Sequence, residues 1–168
     1  MRPVPAQPVT FDDNVFVSAV AGGPNAFWAW PSPPPLVGNP SANCLGIVND
    51  GEEFRLWLSP HIMTNILKVL ASLDWSRDRA LEYLQVLREI ADSSGGGVLE
   101  PETQVGDCPD YEDNRILELA LASGSILIVS EDGDLLTMSP WRAIPIIRPS
   151  EFAGRVDAMR RARRRRRL

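Results

Sequence analysis

The stretch "SILIVSEDGDLL" spans Ser125–Leu136. Its four apolar residues, 126–129, follow Gly124 and lead at once into Glu131, Asp132 and Asp134. The length of the run, its β-branched content and the bounding turn residues predict a buried strand over 125–130. A buried strand has no need of three carboxylates at its exit. The stretch therefore raises a question of fold and a question of function together.

Upstream, Asp110 is placed to cap a helix over 111–123, with Gly124 as its stop. Downstream, "IPIIRP" (144–149) predicts a second strand, and Ser150 starts a last helix that runs into arginines. The same alternation holds earlier in the chain. "PVTF" (8–11) predicts a short strand and "DNVFVSAV" (13–20) the start of a helix. "FRLWLS" (54–59) is a strand. Ser59 and Pro60 then supply an N-cap and a first-turn proline. That helix places Ile62, Met63, Ile66, Leu67, Val69, Leu70 and Leu73 on one broad face. A further helix starts near Ser76, burying Ala80, Leu81, Leu84, Leu87 and Ile90, and "SSGGG" (93–97) ends it. "VLEP" (98–101) is a brief strand. Between the first helix and "FRLWLS" lies a Pro- and Gly-rich loop, "GGPNAFWAWPSPPPLVGNPSA", which a short helix over "CLGIVND" closes. No internal repeat is visible.

Strands separated by helices imply an α/β fold with a parallel sheet covered on both faces. In such sheets ligands bind at the carboxyl ends of the strands. Asp12 and Asp13 follow the first strand, and Asp132 and Asp134 follow "SILIVS". Crossover helices begin at the same edge, which brings in Asp113 and, one turn further along its own helix, Asn65. Carboxylates gathered there repel one another unless a cation compensates. Clustered oxygen ligands favour Mg²⁺ or Mn²⁺ over zinc. Each acid also has a structural reading. Asp113 suits a helix dipole, Asp134 is placed to cap a short "LLTM" helix, and Asp12 and Asp13 can cap the helix they precede.

The composition narrows the remaining classes. The chain has 168 residues, a net charge of −5, two cysteines and one histidine. Cys44, Cys108 and His61 are too few for a zinc site and read best as two reduced thiols and a lone imidazole. No apolar run reaches the ~18 residues of a membrane span, and no stretch near the start has signal-peptide character. The expectation is a cytoplasmic protein without membrane association. No Gly-rich turn of the dinucleotide or P-loop kind follows any strand. Residues 160–167 hold seven arginines. Without them 10 basic residues stand against 22 acidic ones, so the body carries −12.

"FDDNVFVSAV", "DNRILELALASGSILIVSEDGDLL" and "IPIIRPSEF" together resemble the PIN-domain ribonucleases, most closely the toxin component of VapBC-type toxin–antitoxin pairs. The likeness covers about residues 8–152 apart from the Pro-rich insertion. It implies a three-layer α/β/α sandwich with a central, mostly parallel sheet, and Mg²⁺- or Mn²⁺-dependent hydrolysis of single-stranded RNA. It implies Asp12, Asp113 and Asp132 as catalytic ligands and Asp134 as a further ligand. Asn14 and Ser130 would orient them, with Asp13 in support. An antitoxin protein and a homodimer are the implied partners. The domain organisation expected is a PIN-like nuclease over 1–152, with an insertion at about 22–43, and a C-terminal helix with an arginine-rich tail over 153–168. Where the family usually carries a Glu in the helix after strand two, this chain has Asn65. Two consequences are open: the site binds metal more weakly, or Asp13 replaces the missing charge. Asn65 also keeps open a second reading, a degenerate module that binds RNA or protein without cleaving. A Glu restored at position 65 is then expected to tighten Mn²⁺ binding. His61, one turn before Asn65, is either an RNA contact or a surface residue.

Two other segments stand out. "FWAWPSPPPL" (27–36) suits a partner-binding arm, a base-stacking surface or a loop tucked against its own core. Arg160, Arg161, Arg163, Arg164, Arg165, Arg166 and Arg167 form either a solvated end or an RNA-binding hook. An anionic membrane surface and a tail folded back over the acidic rim are the other readings.

Overall fold

The computed structural model describes residues 4–26 and 38–168. In chain order the elements are β1 (Gln7–Phe11), α1 (Asp13–Ser18), α2 (Pro40–Asp50), β2 (Phe54–Leu58), α3 (Pro60–Ser72) and α4 (Arg77–Ser93). There follow β3 (Gly97–Val98), α5 (Tyr111–Ser123), β4 (Leu127–Val129), α6 (Gly133–Thr137), β5 (Ile146–Ile147) and α7 (Pro149–Arg166). The five strands form one sheet in the order β3-β2-β1-β4-β5. Every pairing is parallel. The expected α/β architecture is therefore present.

Right-handed crossovers put the helices of the first two connections on one face of this sheet and α5 and α6 on the other. The side chains agree. Phe11 packs on Phe16 of α1 and on Phe152 of α7. The next residue back, Thr10, faces the opposite way, and its hydroxyl meets that of Ser125 just after α5, at 2.8 Å. Val9, Phe11, Leu56 and Leu58 are fully buried on the helix-rich side.

The helix ends follow local chemistry. Ser59 accepts from the Ile62 amide and Asp110 from the Glu112 amide, each as an N-cap. Gly124 ends α5 in the left-handed conformation, φ 66°. The "SSGGG" turn is required by close approach. A Cβ on Gly96 would lie 1.9 Å from the Leu56 carbonyl oxygen, so the chain can pass β2 only with glycine there.

Several expectations change. α2 is longer than a helix over "CLGIVND" and starts at Pro40, because Asn39 caps it by accepting from Ala42. The Pro-rich loop thus ends at Asn39, and the whole of "FWAWPSPPPL" (27–36) lies outside the described residues. Leu73 and Leu81 are 56% and 41% exposed rather than buried. Leu73 comes after the last turn of α3, and Leu81 falls about 100° past the buried stripe that begins at Ala80. The strands at the edges are shorter than expected, two residues each for β3 and β5. α7 starts at Pro149, after Arg148, rather than at Ser150. Its Phe152 and Val156 are buried in the core.

Candidate metal centre

The parallel sheet turns the exits of β1 and β4 to one edge. Asp12 leaves β1 with its amide bonded to the Val129 carbonyl of β4. Ser130 leaves β4 fully buried, and its hydroxyl donates to Asp12 Oδ2 at 2.6 Å. The same Oδ2 accepts from Asn14 Nδ2 at 3.1 Å. Ser130 Oγ also accepts from the Asp132 amide at 2.9 Å. One hydroxyl thereby fixes both acidic loops.

Asp132, not Asp134, is the N-cap of α6. Its Oδ1 accepts from the amides of Asp134 and Leu135. Asp113, in the first turn of α5, projects to the same place from the opposite side. Carboxylate oxygens of Asp113, Asp132 and Asp134 lie within 4.8 Å of one another. Asp113 is buried, Asp132 half-buried and Asp134 exposed. Asp12 is buried beside this trio but outside it, its Oδ2 taken up by Ser130 and Asn14.

The electrostatics follow from this packing. Burial, then the charges of Asp132, Asp110 and Asp134, push Asp113 up to about 6. Asp12 is raised well above the ordinary carboxylate value by burial and by the adjacent Asp13, against the lowering effect of the Ser130 hydrogen bond. Asp13 is half-buried at the first position of α1, next to Asp12. Such a group of carboxylates resists ionisation until a cation joins it. The donors are all oxygen, the set that hard divalent ions take.

Asn65 and His61 both engage Glu112. Asn65 Nδ2 donates to Glu112 Oε2 at 2.8 Å, and His61 Nε2 pairs with the same oxygen. Glu112, the neighbour of Asp113, is held below its usual carboxylate range, first by the Asn65 hydrogen bond and then by His61. A negative charge therefore stands against position 65 of α3, but it comes from α5.

Sequence reasoning missed Glu112 and the polar residues that seat α5. Asn114 exchanges two hydrogen bonds with the backbone of Cys108, at 2.8 and 2.7 Å. Glu118 accepts from the Val105 amide at 3.0 Å. Both side chains are buried. Their signal was present as a polar pair at i, i+4 on an otherwise apolar face of 111–123. Cys108 itself lies 3.7 Å from Asp113 Oδ2, its thiol raised by burial.

The arginines separate into two groups. Arg160 is only 16% exposed at its side chain and bonds Glu53 with two nitrogens and Asp50 with a third contact. Arg163 also pairs with Glu53, and Arg161 with Asp157. Arg160 is therefore a tether between α7 and the body. Arg164, Arg165, Arg166 and Arg167 are exposed, and none has a carboxylate partner among the described residues. The ion pairs of Arg160 and Arg163 hold this end of α7 against Asp50 and Glu53, ahead of β2. No helix among the described residues is long and apolar enough to cross a membrane.

Set beside known proteins, residues 8–134 match a family model described as a PIN domain. The chain matches no curated protein.

Proposed function

The chain belongs to the PIN-domain family, whose members are generally nucleases, and from that premise we propose that it is a metal-dependent endoribonuclease. The substrate is single-stranded RNA, and the biological role that fits is the toxin of a toxin–antitoxin pair. The observation that carries the reading is Asp113. A carboxylate pushed up to about 6, first by burial and then by the charges of Asp132, Asp110 and Asp134, belongs to a site built to be completed by a cation.

Asp113, Asp132 and Asp134 would hold Mg²⁺ or Mn²⁺, with Asp12 beside them. When bound, the ion supplies charge neutralisation at a phosphoryl oxygen and a more acidic water. The protein's own part is placement. Ser130 and Asn14 hold Asp12 in one rotamer, and Ser130 ties the Asp132 loop to it. Asn114 and Glu118 fasten the segment before α5, so that Asp113 stays at its post. Glu112, fixed by Asn65 and His61, extends the acidic wall on the α3 side. Tyr111, at the start of α5, is 64% exposed with the Arg115 guanidinium 5.6 Å from its ring centroid. An exposed ring beside a phosphate site suits an unpaired base rather than a duplex.

One observation favours a second reading. Asn65 binds Glu112 instead of contributing a charge of its own, as in a fold kept for binding RNA or protein after cleavage is lost. A single experiment separates the two. RNA cleavage is followed with and without Mn²⁺ for the wild-type chain and Asp132→Asn, with a thermal melt to show that both are folded. Cleavage that needs Mn²⁺ and disappears in the variant supports the nuclease. Tight RNA binding with no cleavage at any Mn²⁺ concentration selects the binding module.

A further inference from the structure

α7 has its two ends at opposite edges of the sheet. Its N-cap, Arg148, pairs with Glu131 at 3.2 Å, beside the Asp132 loop at the carboxyl edge. Arg160 pairs with Asp50 and Glu53, which precede β2 at the amino edge. The intervening helix rises about 16 Å at ~1.5 Å per residue, matching the roughly 16 Å of a five-residue strand. Beyond Arg160 the helix overhangs the sheet. Arg164, Arg165, Arg166 and Arg167 lie on this overhang, exposed and without carboxylate partners among the described residues.

From this geometry we infer that the arginine end is an RNA anchor remote from the cleavage site, which acts only on strands long enough to reach both poles. The inference rests on the reading of the chain as a nuclease for single-stranded RNA. Two physical points support it. Without Arg164, Arg165, Arg166 and Arg167 the net charge of −5 becomes −9, which repels a polyanion, and these four arginines at the end of α7 offset that repulsion at one place. Like charges three or four residues apart on a helix, as at Arg164/Arg167 and Arg160/Arg164, also repel each other, and phosphates relieve this where no protein carboxylate does. The whole of α7 is about 27 Å long at ~1.5 Å per residue. At the roughly 3.4 Å per phosphate of a stacked strand that span takes about eight nucleotides.

The test compares the full chain with a chain ending at Arg163, which keeps the Arg160 and Arg163 tethers. Cleavage with Mn²⁺ is measured on a 4-nucleotide and a 20-nucleotide single-stranded RNA. Binding of the 20-mer is measured in EDTA by fluorescence anisotropy over a salt series. The inference expects kcat/KM on the 20-mer to fall about tenfold or more, through KM, while the 4-mer is cut equally by both chains. The salt slope for the 20-mer should flatten by about 3, for four phosphate contacts at ~0.7 each. Equal losses on both lengths would place the arginines at the cleavage site and overturn the inference. So would no loss on either length, or an unchanged salt slope. Binding to phosphatidylserine vesicles that depends on Arg164–Leu168, with RNA affinity unaltered, would overturn it in favour of a membrane surface. If no RNA is cut but the truncated chain loses 20-mer affinity in EDTA, the anchor stands and the nuclease reading fails.

Discussion

The amide of Asn65 donates to the carboxylate of Glu112 across 2.8 Å, joining the second turn of α3 to the first turn of α5. This contact sets what a glutamate at position 65 would face. In Asn65→Glu the donor is lost and two carboxylates face each other. The variant should be less stable than wild type in EDTA by on the order of 1 kcal/mol, since Glu112 is exposed enough for solvent to screen the pair. Adding Glu112→Gln should recover the loss. Thermal melts of both variants in EDTA check this, and an Asn65→Glu chain as stable as wild type would count against it.

Asp113 makes stability depend on pH in an unusual direction. Its folded-state pKa is about 6, against ~3.9 for an unfolded aspartate. The folded state therefore keeps the proton to higher pH. Stability should fall as pH rises from about 4 to 6 and then level off, the reverse of a salt-bridged aspartate. Asp12, raised by burial, adds to the same trend. After allowance for solvent screening at the half-open site, the Asp113 share is on the order of 1 kcal/mol. Melts in EDTA across this range should show the slope in wild type and a shallower one in Asp113→Asn. A bound cation should remove it in wild type.

Ser130 bridges the two acidic loops, so Ser130→Ala should leave the fold in place and loosen the site. The expected loss in Mn²⁺ affinity is about 10–100-fold, the usual effect of removing a group that orients a ligand. Titration calorimetry measures it. An unchanged affinity would mean that Asn14 alone suffices to hold Asp12.

Arg160→Ala should destabilise the chain by about 2 kcal/mol, less than for a fully buried pair because solvent reaches part of the contact. Glu53, at 7% side-chain exposure, would keep only Arg163 as a partner. Arg160→Lys should recover only part of the loss, because an ammonium cannot reproduce the two-pronged contact. Urea unfolding of the three proteins provides the comparison. A loss below 0.5 kcal/mol, the scale of ordinary surface changes, would make α7 independent of this tether.

Much of this molecule is written locally in its sequence. The apolar runs at 8–11, 54–58 and 126–129, the caps at Ser59 and Asp110, and the stop at Gly124 each depend on residues a few positions apart. Such signals survive without knowledge of the fold. Parallel order follows from strand–helix alternation, so the edge that gathers Asp12, Asp113 and Asp132 was legible too. What only the tertiary structure decided was which groups touch. Ser130 reaches Asp12 across 118 positions, and Asp113, Asp132 and Asp134 form the close group while Asp12 stands beside it. Glu112 meets Asn65 over 47 positions, and Arg160 turns to Glu53 over 107. Periodicity states which face of an element is buried, to within about a quarter turn of a helix. Hydrogen bonds are decided within a few tenths of an ångström, and that precision comes only from the packing of α3, α5 and α7 around the sheet.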